Sequence, residues 1–222
     1  ITARDSIVVG FTKEEVHERI SLFRDQNLSD AQLRQLFFSS RKAGRYQPGD
    51  TRGWSLEKAR KRLRKDPSWG GHVESYQYRP FDHRNLYYNP EMVDWLRPQL
   101  SKQLRPAGTN TALVVCKQCI SPMWKHCFIT DRIVDDSCVS NKSRERGYVF
   151  PLQLVDPEDS YNVSKEWRDK ISESINTKIQ PEALFAYICS ILHSDSYRQR
   201  FYSLLQIDFP HIPLPKNQEI YL

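Results

Sequence analysis

Short apolar runs in the middle of the chain restrict the folds that it can adopt. They lie at residues 111–116, 128–130, 133–134 and 148–154, and they are rich in β-branched and aromatic residues. Runs of this length between polar segments are typical of β-strands, and their close spacing favours a mixed or antiparallel sheet. A shorter apolar run at residues 7–9 predicts one further strand near the start of the chain.

Amphipathic patterns predict helices before these strands. Thr12 with Glu15, and Ser29 with Gln32, have the spacing of capping boxes. Each pair stands ahead of apolar residues that recur at helical spacing. Two helices are therefore predicted within residues 12–38.

Helices are also predicted after the strands. Ser164, Pro181 and Ser194 each precede apolar residues that recur every three or four positions, and each is of a type favoured at helix starts. Pro90 is expected to open one more helix, which would carry Met92. The fold class predicted is α+β, with a mixed β-sheet from the central region packed with N-terminal and C-terminal helices.

The composition limits the class of protein. With 222 residues, 39% of them hydrophobic, the chain can bury a core of its own. No apolar run approaches the ~20 residues that span a bilayer, and no signal peptide opens the sequence. We therefore expect a cytoplasmic location without a membrane partner. The start at Ile1, without Met, favours a piece of a longer polypeptide.

The five cysteines form an odd number in a chain without a secretory signal, so reduced thiols are expected. Cys116 and Cys119, with His126 and Cys127, offer ligand types that suit zinc. A second pair at metal-ligand spacing is missing, and Cys116 ends an apolar run. Buried apolar cysteines, and no metal, are therefore expected.

No catalytic motif stands out in the sequence. Its eight glycines do not form the clusters that cradle nucleotides or S-adenosylmethionine, and it has no Walker A motif. Asn89-Pro90-Glu91-Met92 lacks the second proline and the aromatic residue of an Asn-Pro-Pro-Tyr/Phe motif. We expect no catalytic residue and no cofactor in this chain.

Positive charge is concentrated in one segment. The net charge is +6 at pH 7, and residues 41–65 hold ten Lys or Arg against two Asp or Glu. A loop over residues 39–53, rich in Gly, Pro and Ser, can follow a phosphate backbone, and the helix predicted over residues 56–64 is expected to face phosphate or solvent. A simply solvated basic helix is the alternative. The nucleic-acid contacts predicted here are Arg41, Lys42, Arg45, Tyr46, Arg52 and Trp54.

Residues 76–88 crowd two arginines, four tyrosines and a phenylalanine around Pro80. This proline pushes Arg79 towards an extended conformation, which predicts a strand or a tight turn. Arg79 and Arg84 carry planar guanidinium groups that suit phosphate oxygens or a guanine edge. The structural alternative is an ion pair of either arginine with Asp82 inside an aromatic cluster.

Polar side chains follow several of the predicted strands. Gln and Asn can bond adenine through two hydrogen bonds, and Arg or Lys can bond guanine, in a DNA major groove. Ordinary polar loop residues are the alternative for each of them. The candidates for such contacts are Lys117, Gln118, Asn141, Lys142 and Arg144.

Four motifs carry a resemblance to a known family. Residues 78–82, read as Tyr-Arg-Pro-Phe-Asp, followed by Arg84 and Tyr87-Tyr88, resemble the C-terminal part of type ISP restriction-modification enzymes. These are large polypeptides that join a nuclease, a translocase, an adenine methyltransferase and a DNA target-recognition domain. Three more similar motifs follow the order of the family, at residues 44–54, at 140–145, and at 191–198 with 207–213.

The resemblance implies sequence-specific recognition of double-stranded DNA, which positions the target for adenine methylation and restriction by other domains. Residues 1–70 would be a helical part with a basic loop that connects to an upstream methyltransferase, and residues 71–222 would be the target-recognition domain. The partners implied are double-stranded DNA and the upstream methyltransferase, translocase and nuclease domains of the same polypeptide.

The same resemblance assigns S-adenosylmethionine, ATP and Mg²⁺ to the full-length enzyme, and none of them to this chain. Two alternatives to sequence-specific recognition remain open. One is a non-specific nucleic-acid-binding module, and the other is a stand-alone metal-dependent nuclease.

Overall fold

The computed structural model describes residues 4–155 and 160–215, and the chain divides into two compact units. Unit one comprises Ile1–Tyr76 and Asp82–Pro98, and unit two comprises Gln77–Phe81 and Gln99–Leu222. Helices and strands in this structure confirm the α+β class. These units are defined by contacts and not by function. The predicted functional division into residues 1–70 and residues 71–222 therefore stays a prediction.

Unit one contains mainly helices. Strand β1 pairs antiparallel with β3, with Val9 opposite Leu86. A 3-10 turn lies at Trp69–Gly71, and strand β2 begins in unit one and ends in unit two. The elements are α1 (Asp5–Val8), β1 (Val9–Gly10), α2 (Lys13–Arg24), α3 (Asp30–Phe38), α4 (Leu56–Arg64), β2 (Val73–Arg79) and β3 (Asp82–Tyr87).

The predicted caps define the helices of unit one. The Thr12 hydroxyl accepts a hydrogen bond from the Glu15 amide at the start of α2, at 3.1 Å. Ser29 and Gln32 form a complete capping box at the start of α3. These contacts satisfy amide groups that a helix start leaves without partners, and they confirm the two helices predicted within residues 12–38.

Two local predictions are wrong. Ile7 and Val8 end helix α1, and of the run predicted as a strand only Val9 is in one. Pro90 opens a turn instead of a helix, although the Asn89 side chain accepts the Glu91 amide at 2.9 Å, as the cap of a helix start would. Trp95 and Arg97 then have φ angles of 55° and 51°, which a right-handed helix does not contain. A short helix, α5 (Pro98–Ser101), follows.

Unit two is built around an antiparallel sheet. Strand β4 is central, with β5 and β7 as its neighbours, and Val114 lies opposite both Phe128 and Val149. Every residue of β4 is buried, as its continuous apolar run predicted. A smaller antiparallel pair joins β8 and β9. The strands are β4 (Ala112–Cys116), β5 (Cys127–Thr130), β6 (Ile133–Val134), β7 (Gly147–Pro151), β8 (Gln153–Leu154) and β9 (Ser160–Tyr161).

In the described residues of unit two, four helices follow the sheet. Ser164 and Ser194 cap α6 and α8 as predicted, with their side chains accepting backbone amides. The helix predicted after Ser194 is interrupted at Phe201, which has non-helical backbone angles. The helices are α6 (Lys165–Ile175), α7 (Pro181–His193), α8 (Asp195–Arg200) and α9 (Tyr202–Leu205).

Two apolar clusters hold unit two together. Leu113 and Cys127 of the sheet pack with Leu192 and Leu205 of the helices, so one sheet face is covered by helices. The second cluster lies between α6 and α7 and includes Ile171. All five cysteines are buried free thiols, which confirms the expectation of buried cysteines without disulfides. In the described part of the chain, no helix combines the length and apolar character needed to cross a bilayer.

Candidate nucleic-acid interface

The basic loop of unit one, residues 39–55, connects α3 to α4. Its base is fixed because Arg34 bonds both carboxylate oxygens of Asp50, at 2.9 and 3.0 Å. Asp50 also accepts the Leu56 amide, at the first residue of α4. Gly49 has a φ of 95°, and a Cβ there would lie 2.5 Å from the Phe38 ring, so this position requires glycine. The loop is therefore anchored at its C-terminal end.

Five of the six contact residues predicted in this loop are exposed, and the sixth, Trp54, is buried. Arg41, Lys42, Arg45 and Arg52 are exposed, and Tyr46 is 38% exposed with the Arg45 guanidinium over its ring. Together they present cationic groups on a segment without regular structure. That arrangement suits contact with phosphate groups, because such contacts require charge and reach more than exact geometry.

The prediction that Trp54 contacts nucleic acid is wrong. Its ring is buried, stacks on Phe23, and lies 4.6 Å from the Arg4 guanidinium. Its Nε1 donates a hydrogen bond to the Glu91 carbonyl at 2.6 Å. The side chain therefore belongs to the core of unit one. Its indole is not placed to stack on a base.

The prediction that helix α4 faces only phosphate or solvent is also wrong, because one of its basic residues is buried. Arg60 is 4% exposed. Its guanidinium donates to the carbonyls of Phe23, Asp25 and Leu28, and it pairs with Asp30 at 2.6 Å. The three carbonyls belong to the end of α2 and its connection to α3, and Asp30 is the first residue of α3. Arg60 therefore takes the place of water at the end of α2.

Two other arginines of α4 have structural contacts. Arg64 donates to the Asp25 carbonyl at 2.9 Å, and Arg62 pairs with Glu91 at 2.9 Å. Three lysines in or just after α4 remain exposed, namely Lys58, Lys61 and Lys65. The cationic surface of residues 41–65 is thus smaller than its sequence composition suggests.

The central motif forms strand β2, a turn at Pro80-Phe81 and strand β3, as predicted. Phe81 has a φ of 62° and is 93% exposed, so the tip of the turn is a solvent-facing aromatic ring. In unit one, Arg84 bonds the Asp82 carboxylate through Nε and Nη2, at 3.0 and 2.8 Å. The ion pair with Asp82, which was the structural alternative to a DNA contact, therefore forms at Arg84.

Arg79, which lies in unit two, pairs with a different carboxylate. Its Nη1 is 3.3 Å from Oδ1 of Asp135, which is itself buried. Its guanidinium also stacks on the Tyr78 ring, 4.1 Å from the centroid. The Arg79 side chain remains 36% exposed, so it keeps a solvent-facing edge.

Two loops of unit two lie side by side because the strands that precede and follow them are paired. Cys116, the last residue of β4, is opposite Gly147, the first residue of β7. The segment after β4, residues 117–121, is loop A, and the segment before β7, residues 140–145, is loop B. The structure therefore brings the two loops together at one end of the sheet, with these predicted contact residues exposed: Lys117, Gln118, Asn141, Lys142 and Arg144.

Two lysines of this group already have partners. Lys117 pairs with Asp208 at 3.7 Å and lies over the Phe209 ring. The Lys142 ammonium donates to the Ser121 hydroxyl at 3.3 Å, which links loop B to loop A.

The buried Glu145 side chain connects loops A and B. Glu145 is not among the nucleic-acid contacts predicted from the sequence. Its carboxylate accepts hydrogen bonds from the amides of Ile120 and Ser121, both at 2.7 Å, and from the hydroxyls of Ser121 and Ser140. Burial raises the pKa of Glu145, but the hydrogen bonds outweigh it and hold the pKa at about 2. The sequence signal was a single carboxylate at the end of a basic motif.

A thiol and an imidazole lie beside this carboxylate. The ligand atoms of Cys119, His126 and Glu145 all lie within 4.8 Å of one another, and all three residues are buried. Cys119 Sγ is 3.5 Å from His126 Nδ1, and His126 Nε2 is 3.4 Å from Glu145. Burial raises the pKa of the Cys119 thiol above its ordinary value. Cys116 stays apart, and its thiol donates to the Glu145 carbonyl at 3.1 Å.

Three solved structures of similar fold were determined with DNA. The chain is similar to a DrdV–DNA complex from cryo-electron microscopy, with a TM-score of 0.72 and 19% identity over 99% of this chain and 21% of that chain. A nuclease-deletion mutant of the type ISP restriction-modification enzyme LlaGI, in complex with a DNA substrate mimic, gives a TM-score of 0.64 and 19% identity, over 100% and 17%. The ATP-dependent type ISP enzyme LlaBIII bound to DNA gives 0.62 and 20%, over 98% and 14%.

At these identities the similarity shows a shared fold. The chain spans between 14% and 21% of the length of the three chains. No curated protein sequence matches it. A family model described as the type ISP C-terminal specificity domain matches residues 1–222. Because that match extends over the whole sequence, the chain belongs to the family of type ISP C-terminal specificity domains.

Proposed function

We propose that this chain recognises a specific sequence in double-stranded DNA, as the specificity domain of a restriction-modification enzyme. Family membership supports this function, as do three similar folds that were determined with DNA. The observation that carries the proposal is the juxtaposition of loops A and B, which places exposed amide and cationic side chains at one end of a rigid sheet. Base recognition needs such groups held in fixed positions.

The two regions take different parts in this proposal. Arg41, Lys42, Arg45 and Arg52 of the basic loop contact phosphate groups and set the register of the protein on the duplex. Gln118 and Asn141 have the amide groups that bond adenine, and Arg144 has the guanidinium group that bonds guanine. Lys117 in loop A and Lys142 in loop B add positive charge near these side chains, and Arg79 adds positive charge elsewhere in unit two. The existing partners of the three residues keep their side chains in place.

The chemical steps take place elsewhere in this proposal. The chain holds the duplex while an upstream methyltransferase domain extrudes and methylates an adenine, a step that requires the base to leave the helix. S-adenosylmethionine, ATP and Mg²⁺ would then be bound by the methyltransferase, translocase and nuclease domains of the same polypeptide. This chain would perform neither methyl transfer nor cleavage.

Selection of bound duplexes from a randomised pool tests the function directly. We expect enrichment of one short, asymmetric sequence, with affinity for that duplex well above the affinity for a scrambled duplex of equal length. Equal affinity for both, with a steep dependence on salt, would indicate a non-specific nucleic-acid-binding module instead. Cleavage by the purified chain with added Mg²⁺ would indicate a nuclease.

A further inference from the structure

Loops A and B extend beyond the hydrogen-bonded part of the sheet. The β4–β7 pairing ends at Cys116 and Gly147, and all candidate base-contacting residues of both loops lie past this pair. The backbone ladder therefore fixes where the loops begin, but it does not fix the distance between their exposed side chains. Another interaction must set that distance if the loops act as one recognition surface.

The Glu145 carboxylate supplies this interaction. One of its oxygens, Oε1, accepts three hydrogen bonds from loop A, from the amides of Ile120 and Ser121 and from the Ser121 hydroxyl. The other oxygen, Oε2, accepts the hydroxyl of Ser140 at the opposite end of loop B. A single buried carboxylate thus bonds loop A through one oxygen and closes loop B through the other.

Loop B has the form of a closed tip. Ser140 and Glu145 are its two ends, and the hydrogen bond between their side chains holds them together. Inside the loop, the Lys142 amide donates to the Ser140 hydroxyl at 3.2 Å, and the Glu145 amide donates to the Lys142 carbonyl at 3.1 Å. Asn141 and Arg144 are exposed on a tip that is pinned at both ends.

We propose that Glu145 is a positioning residue for sequence recognition, because it sets the spacing between the base-contacting side chains of loop A and those of loop B. This inference rests on the proposed function, and it adds a residue that itself lies out of reach of DNA, since Glu145 is 0% exposed. Its effect on recognition is exerted through Gln118 in one loop and Asn141 and Arg144 in the other.

The substitution Glu145→Gln separates positioning from charge. A glutamine has nearly the same shape, but its amide nitrogen cannot accept a hydrogen bond, so one of the two loops loses its acceptor. The substitution also removes a negative charge, which by itself would raise the affinity for DNA. A lower affinity for the selected duplex would therefore be opposite to the electrostatic effect.

The experiment measures the affinity of the full-length protein for the selected duplex and for a scrambled duplex at one salt concentration. For Glu145→Gln we expect the ratio of the two affinities to fall about tenfold, as for one misplaced base-reading side chain, with little change for the scrambled duplex. The matched control is Glu173→Gln on the exposed surface of α6, which makes the same change in charge and should leave the ratio unchanged.

A second variant keeps the test decisive if Glu145→Gln fails to fold. Ser140→Ala removes one hydrogen bond of the carboxylate and leaves the charge in place, and we expect a smaller fall in the same ratio. An unchanged ratio in a folded Glu145→Gln variant, or in Ser140→Ala if the former does not fold, would overturn the positioning role. Equal affinity of the wild-type protein for the two duplexes would instead reject the proposed function itself.

Discussion

The basic segment of unit one and the paired loops of unit two differ in how their polar groups are held. In residues 41–65, the arginines with fixed geometry bond the protein itself, as Arg60 does with three backbone carbonyls. The exposed cations of this segment lie on a loop without regular structure, at residues 41–52, or in and just after α4, where the exposed Arg62 pairs with Glu91. In unit two, the exposed groups stand on short loops that a buried carboxylate pins together.

This difference corresponds to the two kinds of contact that a DNA-reading protein makes. Phosphate contacts depend on charge and tolerate a flexible side chain, whereas base contacts lose their discrimination when the donor or acceptor is displaced. Under the proposed function, charge density in a sequence does not locate the specificity-determining residues. We infer that the fixing of a loop at both ends is a better guide in this chain than the number of its cations.

The largest effect is expected on stability, for Arg60→Ala, which removes the buried guanidinium of the basic segment. The change leaves the carbonyls of Phe23, Asp25 and Leu28 without their donor and Asp30 without its partner, so the free energy of unfolding should fall by about 4 kcal/mol. Denaturant unfolding measures the change. Lys61→Ala, one position away but exposed, should change stability by less than about 0.5 kcal/mol. Similar losses for both variants would show that the two side chains do not differ in role.

A second effect concerns stability as a function of pH. The folded-state pKa of Glu145 is about 2, below its ordinary value of 4.5, so its contribution is present above about pH 4.5 and is lost as the pH falls through about 2. At pH 7, Glu145→Gln should lower the free energy of unfolding by about 3 kcal/mol relative to the wild type. The difference should shrink when unfolding is measured at pH 3. A difference independent of pH would contradict the buried, ionised carboxylate.

Local structure is largely predictable from the sequence, because its signals are local. The capping box of Ser29 and Gln32 and the apolar run of β4 specify their elements without reference to distant residues. The helix Leu56–Arg64 has the bounds that its sequence predicts. One local prediction fails in spite of a local signal. The Asn89 side chain bonds the Glu91 amide as a helix cap would, but the positive φ angles of Trp95 and Arg97 exclude a continuous helix from Pro90.

The roles of charged residues are less predictable, because their partners are distant in sequence. Arg60 bonds carbonyls 32 to 37 positions earlier, and Glu145 accepts amides 24 and 25 positions earlier. The basic residues around Trp54 favour an exposed ring, but its partners Phe23 and Glu91 lie 31 and 37 positions away. Composition shows that a charge or ring is present, and only packing decides whether it faces the solvent.

The role of loop B as a reading element is tested by Asn141→Ala. If the Asn141 amide bonds a base, the affinity for the selected duplex should fall by about 2 kcal/mol, or roughly thirtyfold, while the affinity for a scrambled duplex stays the same. Fluorescence anisotropy with both duplexes measures the two affinities. Ser143→Ala, at an exposed position on the same tip, is the matched control and should leave both unchanged. An equal loss for both duplexes would assign Asn141 to the phosphate backbone.

The smallest effect is expected for Arg45→Ala in the basic loop, and its pattern should be the reverse. Removing one cation from the phosphate backbone reduces the steepness of log affinity against log salt by about 0.9, so affinity should fall alike for selected and scrambled duplexes. Titrations at three salt concentrations measure the slope. Lys178→Ala removes the same charge from an exposed site in unit two and should leave the slope unchanged. If Arg45→Ala weakened only the selected duplex, the basic loop would read bases, and anchoring would no longer distinguish the two regions.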